Sequence, residues 1–309
     1  MALWDDPAVR ELYVNPDGQV WANRSGSGRE RTPVILDEVS VTKFLGTVAA
    51  YRRETLTPER PWLQGAMPML RFEGARIQGY IPPRAAGPGF NMRKHPSEAY
   101  TLDSYYTRGG VSGCQFDGLL AAIDKRRNIL VVGPTGTGKT AFLGALIRAT
   151  TERWPGHRLL VIEDTPEIRC SAPDAVLYRT VPGEKIGMQI NTEAMRLTPD
   201  RIWCPEYRDR AAFYIANLWM SGHHGGGTSM HAGSLESALV RTNYLMLDGR
   251  RGSYARLIAD TMNVLVLLEI GADGLPRCAD FALVDGLDRR GRFFIRRPET
   301  GTVTRSDSL

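Results

Sequence analysis

Gly133, Gly138, Lys139 and Thr140 stand at the spacing G-x-x-x-x-G-K-[ST] within NILVVGPTGTGKTAF, residues 128–142. This spacing suits the holding of phosphate groups: an apolar strand runs into a glycine-rich turn and then a helix, so successive backbone N–H groups face one point at the positive end of the helix dipole. The loop Gly133, Pro134, Thr135, Gly136, Thr137, Gly138, Lys139, Thr140 and Ala141 is therefore expected to wrap a nucleotide's phosphates. Lys139 would reach the terminal phosphates, and the Thr140 hydroxyl would meet Mg²⁺.

Three later segments place acids and a histidine where such a loop could use them. VIEDTPEI puts Glu163 and Asp164 at the end of one predicted strand, and RLTPDRIWCPEYRD puts Glu206 at the tip of another, with Arg208 beyond it. Hydrolysis needs one carboxylate to polarise water and others to position a hydrated metal. Glu163 and Glu206 can fill both roles, although an isolated acidic strand end serves as often as a helix cap. In GGGTSMHAGS, His231 lies in a glycine-rich loop between a predicted strand and a helix that carries Arg241, a place where an imidazole could sense a phosphate. His223 and His224 have no third ligand at metal spacing and read as loop residues.

These groups need a scaffold. Asn128–Val132, Arg158–Asp164 and Arg201–Cys204 are continuous apolar strands, and helices are expected over Lys139–Arg153 and Arg210–Ser221. Buried strands alternating with helices imply a parallel sheet covered on both faces, an α/β architecture. Upstream, ELYV and QVWA flank Asn15-Pro16-Asp17-Gly18 as a hairpin, a helix is expected over Glu38–Arg53, and two further strands flank a Pro/Gly-rich loop between residues 71 and 96. The spacing predicts an α+β domain over residues 1–108, a linker at 109–114 with Gly109-Gly110 as its hinge, and a P-loop domain over 115–309.

Composition narrows the class. The chain has 309 residues, of which 42% are hydrophobic and 24% charged, a globular balance with room for two domains. Basic residues outnumber acidic ones 14 to 12 in residues 1–110 and 25 to 22 in the remainder, so the net +5 is spread evenly. A compact nucleic-acid surface usually shows a stronger local excess. Cys114, Cys170, Cys204 and Cys278 are far apart and form no C-x-x-C pair, so they suggest neither a zinc ribbon nor a disulfide scaffold, and a reducing cytosol fits best. The longest apolar run, Val264–Leu268, is far short of the roughly 20 residues needed to cross a bilayer, so membrane contact is expected to be peripheral.

The four segments GPTGTGKT, VIEDTPEI, RLTPDRIWCPEYRD and TSMHAGSLESALVR, in this order, resemble the Walker A, Asp box, Walker B and His box of the secretion ATPase superfamily, which covers type II and type IV secretion motors and type IV pilus motors. LYVNPDGQVWAN, RIQGYIPP and GPGFNMRKH resemble the N-terminal domain of its type IV secretion branch, closest to the Trb-type conjugal transfer ATPases. The resemblance implies a RecA-like P-loop NTPase domain beside a smaller α+β domain. It also implies ATP and Mg²⁺ as cofactors and a homohexameric ring at the cytoplasmic face of the inner membrane, facing secretion-channel components and a coupling protein. By motif match, Lys139 and Thr140 contact phosphates and Mg²⁺, Glu163 and Glu206 serve water activation and metal positioning, and His231 sits near the γ-phosphate. Arg76 and Arg93 match arginines that reach the nucleotide from the N-terminal domain, and Arg208 and Arg241 are further arginine candidates. A planar, permanently charged guanidinium suits charge developing on a transferred phosphoryl group.

One residue departs from the pattern: Pro205 precedes the Walker B glutamate where relatives usually carry glycine, which fixes φ, removes a backbone donor and puts the placement of Glu206 in question. Three other readings share the P-loop. They are a pilus assembly or retraction motor, a nucleic-acid translocase gripping DNA in its ring, and a nucleotide switch that barely hydrolyses.

Overall fold

The computed structural model describes residues 2–24, 26–94, 100–163, 166–180, 187–206, 209–249 and 251–305. The chain forms two compact units, residues 1–98 and 99–309.

In the first unit, α1 (Ala2–Asp5), β1 (Val9–Val14), β2 (Gln19–Arg24), β3 (Gly28–Ile35) and α2 (Glu38–Tyr51) are followed by β4 (Trp62–Ala66), α3 (Met69–Phe72), β5 (Arg76–Tyr80) and β6 (Gly89–Arg93). The strands make one antiparallel sheet in the order β3-β2-β1-β6-β5-β4. The β1–β2 hairpin turns at the expected place. Gly18 adopts φ +77°, and a Cβ there would lie 2.1 Å from the Leu36 carbonyl oxygen, so only glycine fits. Helix α2 starts where the Asp37 side chain accepts from the Ser40 N–H at 2.8 Å, and it buries Val41, Leu45, Val48 and Ala49. Leu45 packs against Gly79 of β5 so closely that a Cβ there would sit 2.4 Å from its Cδ2. The helix therefore covers the face of β5 and β6 that carries Ile77, Phe90 and Met92.

The second unit contains α4 (Leu102–Thr107), α5 (Gly113–Asp124), β7 (Ile129–Val132), α6 (Lys139–Arg153), β8 (Leu159–Glu163), β9 (Ala175–Arg179), α7 (Met188–Arg196), β10 (Arg201–Cys204), α8 (Ala211–Met220), β11 (Gly227–Met230), α9 (Leu235–Leu247), α10 (Ala255–Thr261) and β12 (Val264–Ile270), then β13 (Pro276–Leu287), β14 (Phe293–Arg297) and β15 (Thr302–Arg305). The sheet order is β15-β14-β13-β12-β7-β11-β10-β8-β9. Strands β12, β7, β11, β10, β8 and β9 are parallel, and β13 to β15 extend the sheet as an antiparallel meander. The central strands β7, β8, β10 and β11 are buried at every residue, because helices lie on both faces. This is an α/β P-loop domain of RecA-like form beside a smaller α+β unit.

Two details differ from the sequence expectation. The units meet at residue 98/99 rather than at 108, because Leu102 and Tyr105 of α4 are buried in the second unit's core beside Phe142 and Ile147 of α6. Gly109-Gly110 is accordingly a pinned turn inside that unit, not a linker. The Gly110 N–H donates to the Tyr105 carbonyl at 2.7 Å, and its own carbonyl accepts from the Cys278 N–H of β13 at 2.7 Å. The antiparallel meander is the second difference: the alternation of strand and helix gave no sign of it.

Candidate functional site

The sheet topology collects the site. The chain passes from β7 to β8 across the places later taken by β11 and β10, so the carboxyl ends of four neighbouring parallel strands open onto one edge. The phosphate loop leaves β7, Glu163 ends β8, Glu206 follows β10 and His231 follows β11.

Glycine is obligatory at two loop positions. Gly133 has φ +156° and a Cβ would lie 2.5 Å from the Leu268 carbonyl, while Gly138 takes φ +79° as the N-cap of α6. No side chain caps this helix. The first N–H groups of α6, from Lys139, Thr140 and Ala141, therefore face an uncapped end where an anion's oxygens are the natural acceptors. The Thr137 hydroxyl donates to the Pro134 carbonyl at 2.9 Å and holds the loop's curvature. The residues present thus fit a polyphosphate.

Lys139 is buried and donates to the carbonyls of Gly133 at 2.9 Å and Pro134 at 2.7 Å; its Nζ also lies 3.2 Å from Nδ1 of His231. An ammonium group has donors only, so Nδ1 accepts and the neutral ring carries its proton on Nε2. That Nε2 lies 3.9 Å from Oε1 of Glu206. Lys139, His231 and Glu206 therefore form a chain across β7, β11 and β10 that joins the phosphate loop to the Walker B tip. The Pro205 carbonyl accepts from the Ser229 hydroxyl at 2.6 Å, and the Glu206 carbonyl accepts from the Cys204 thiol at 3.4 Å.

Glu163 has a different environment. It is only 5% exposed, its Oε1 accepts from the Glu167 N–H at 2.6 Å, and its Oε2 is buried with no hydrogen-bond partner among the described residues. Burial pushes its carboxyl up to about 7, against the smaller opposing effect of backbone N–H groups at Glu167 and Ile168. A carboxyl poised near neutrality, with one oxygen unsatisfied, has the properties of a general base. Among the described residues no group of three His, Cys, Asp or Glu side chains could by itself hold a metal ion. Thr140, at the start of α6, and Glu206, after β10, carry oxygens of the kind Mg²⁺ takes beside phosphate oxygens and water.

The remaining candidates are dispersed. Arg76 and Arg93 belong to the first unit, where they are direct cross-strand partners on β5 and β6. Arg241 is exposed on α9, whose inner face is formed by Leu235, Ala238, Leu239, Thr242 and Met246. Arg208 and Asp164 lie outside the described residues. Sequence reasoning missed Ser229; its place two residues before His231 in TSMH was the available signal.

Residues 73–287 match the family described as Type II/IV secretion system protein. The chain belongs to that family. It is 34% identical over 275 residues to the conjugal transfer protein TrbB of Rhizobium radiobacter, spanning 87% of this chain and 82% of that protein. The crystal structure of the VirB11 ATPase from the Brucella suis type IV secretion system, in complex with sulphate, aligns over 91% of both chains at 27% identity with a TM-score of 0.50. The pilus retraction motor PilT with bound ADP aligns over 92% of this chain and 81% of its own at 15% identity and a TM-score of 0.65, a likeness of fold. Relatives in type IV secretion and conjugal transfer thus accompany the phosphate loop and the acidic strand tips.

Proposed function

We propose that this member of the family is a Mg²⁺-dependent ATPase that powers transfer through a conjugative or type IV secretion channel. The observation that carries the reading is the chain from Lys139 through His231 to Glu206, set beside the buried, unpaired Oε2 of Glu163 at the same sheet edge. ATP and Mg²⁺ would supply the phosphoanhydride bond and the charge that polarises it. Lys139, released from the Gly133 and Pro134 carbonyls and from His231, would hold phosphate oxygens in their place. Glu163 would receive the proton of the attacking water at Oε2, and Glu206 would help to hold the hydrated metal.

Arg76 and Arg93 would approach the phosphates from the first unit. The support for this is their position within RIQGYIPP and FNMRKH, on the facing strands β5 and β6. The working form in this reading is a homohexamer on the cytoplasmic face of the inner membrane, meeting channel components and a coupling protein. No described helix is long and apolar enough to cross a membrane.

The test is steady-state ATP turnover and ADP affinity for the wild type, Lys139→Ala, Glu163→Gln and Glu206→Gln, with and without Mg²⁺. Lys139→Ala is expected to lose nucleotide binding. The two carboxylate variants should keep ADP affinity and lose turnover. Wild-type protein that binds ADP without hydrolysing ATP would move the nucleotide switch ahead, and salt-sensitive DNA binding would bring forward the translocase.

A further inference from the structure

We infer that Ser229 is the residue that positions the Walker B glutamate in this chain, doing from the neighbouring strand what the Pro205 backbone cannot. The inference rests on the hydrolytic reading above.

Strands β10 and β11 pair in parallel with register Trp203↔Gly227 and Cys204↔Thr228. The next rung would set Pro205 beside Ser229. The Arg201 N–H donates to the Arg158 carbonyl, so Arg201, Trp203 and Pro205 alternate toward β8, and it is the ladder to β8 that proline, with no N–H to give, brings to an end. The Ser229 side chain holds the same peptide from the β11 side: it is 3% exposed, and its hydroxyl donates to the Pro205 carbonyl at 2.6 Å. A second contact, from the Cys204 thiol to the Glu206 carbonyl at 3.4 Å, is the weaker of the two, since a thiol is a poor donor.

The consequence for function lies in what else Ser229 is attached to. Its strand is laddered to β7 on the other side, with Ser229↔Val131 and Met230↔Val132, so Ser229 is fixed to the strand that delivers the phosphate loop. Two residues on, the same strand delivers His231, whose ring lies between Lys139 and Glu206. The hydroxyl therefore ties the Glu206 peptide to the one element that also sets Lys139 and His231. Without it Glu206 would keep its chemistry and lose its register. Ser229 meets neither substrate nor metal in this account, and its effect passes through the backbone of Pro205 and Glu206.

The test compares wild type with Ser229→Ala and Ser229→Cys, the second close in size but a weaker donor. Readouts are kcat, KM for ATP, and hydrogen exchange of the backbone amides over residues 203–213 and 264–270 in nucleotide-free protein. Ser229→Ala should lower kcat roughly ten- to a hundredfold, as misplacement of a catalytic group does, with KM changed less than about twofold. Ser229→Cys should fall between. Exchange should rise over 203–213 and stay unchanged over 264–270, a local loosening that general destabilisation would not produce. If Ser229→Ala is too unstable to assay, the Cys variant carries the same comparison with a smaller expected fall. Wild-type kcat in both variants, or a loss of kcat with exchange raised equally over both segments, would overturn the proposal. A wild type without turnover would sink the hydrolytic reading instead, while the exchange pattern would still report whether Ser229 holds the Glu206 segment.

Discussion

Glu163→Gln should make the second unit more stable while it stops the chemistry, and the size of the gain should depend on pH. Glu163 is 5% exposed, and its carboxyl is raised from 4.5 to about 7 because burial disfavours the charged form. The folded unit therefore holds a proton that the unfolded chain releases over that interval. The sign follows: this group's contribution is intact below about pH 4.5, is lost as pH rises from there to about 7, and stays lost above. The difference of about 2.5 between the two values, at roughly 1.4 kcal/mol for each, amounts to about 3 kcal/mol. Glutamine keeps an oxygen for the Glu167 N–H and carries no charge to bury. The variant should exceed wild type by about 3 kcal/mol at pH 8 and by under about 1 kcal/mol at pH 5. For a unit of this size that is a rise in Tm of roughly 6–12 °C at pH 8. Differential scanning calorimetry at both pH values, without nucleotide, reads it from the second unit's transition. A gap that does not widen with pH, or a variant less stable at pH 8, would refute the assignment of a buried, unpaired carboxylate.

Other outcomes test other parts of the structure. Gly133→Ala places a Cβ 2.5 Å from the Leu268 carbonyl at φ +156° and should cost on the order of 1–3 kcal/mol while abolishing ADP binding, read by calorimetry and titration. Arg76→Ala and Arg93→Ala should leave both thermal transitions intact and lower ATP turnover on the order of a thousandfold, whereas Arg241→Ala, on the exposed face of α9, should change turnover little. Leu45→Ala removes a fully buried side chain and should lower the first unit's stability by about 2–5 kcal/mol, seen as an earlier transition of that unit alone.

The phosphate loop was legible because its chemistry is local: Gly133 and Gly138 are glycines for backbone reasons, and the apolar run before them fixes the strand. The expected strands and helices around it appear within a residue or two, as do the hairpin at Gly18 and helix α2. Features set by distant packing were less legible. Gly109-Gly110 looks like a hinge in sequence, yet the Cys278 N–H, far along the chain, fastens it inside the second unit. Strand β13, PRCADFALVDGL, is buried only at Cys278, Phe281, Ala282 and Val284, so it lacks the fully buried apolar signature of the central parallel strands. At the site itself, residue types were readable and environments were not. Nothing in VIEDTPEI says that one oxygen of Glu163 is buried without a hydrogen-bond partner among the described residues, and nothing around Pro205 says that its carbonyl accepts from the Ser229 hydroxyl of another strand.

In the proposed working form, subunits hydrolyse ATP together, as a ring. Its most direct measurement is turnover per subunit against protein concentration, with mass photometry in parallel and with Arg93→Ala subunits doped into wild type. Turnover that rises with hexamer mass and falls faster than the wild-type fraction is the expected result. Equal turnover from the monomer, or a fall in simple proportion to doping, would contradict it.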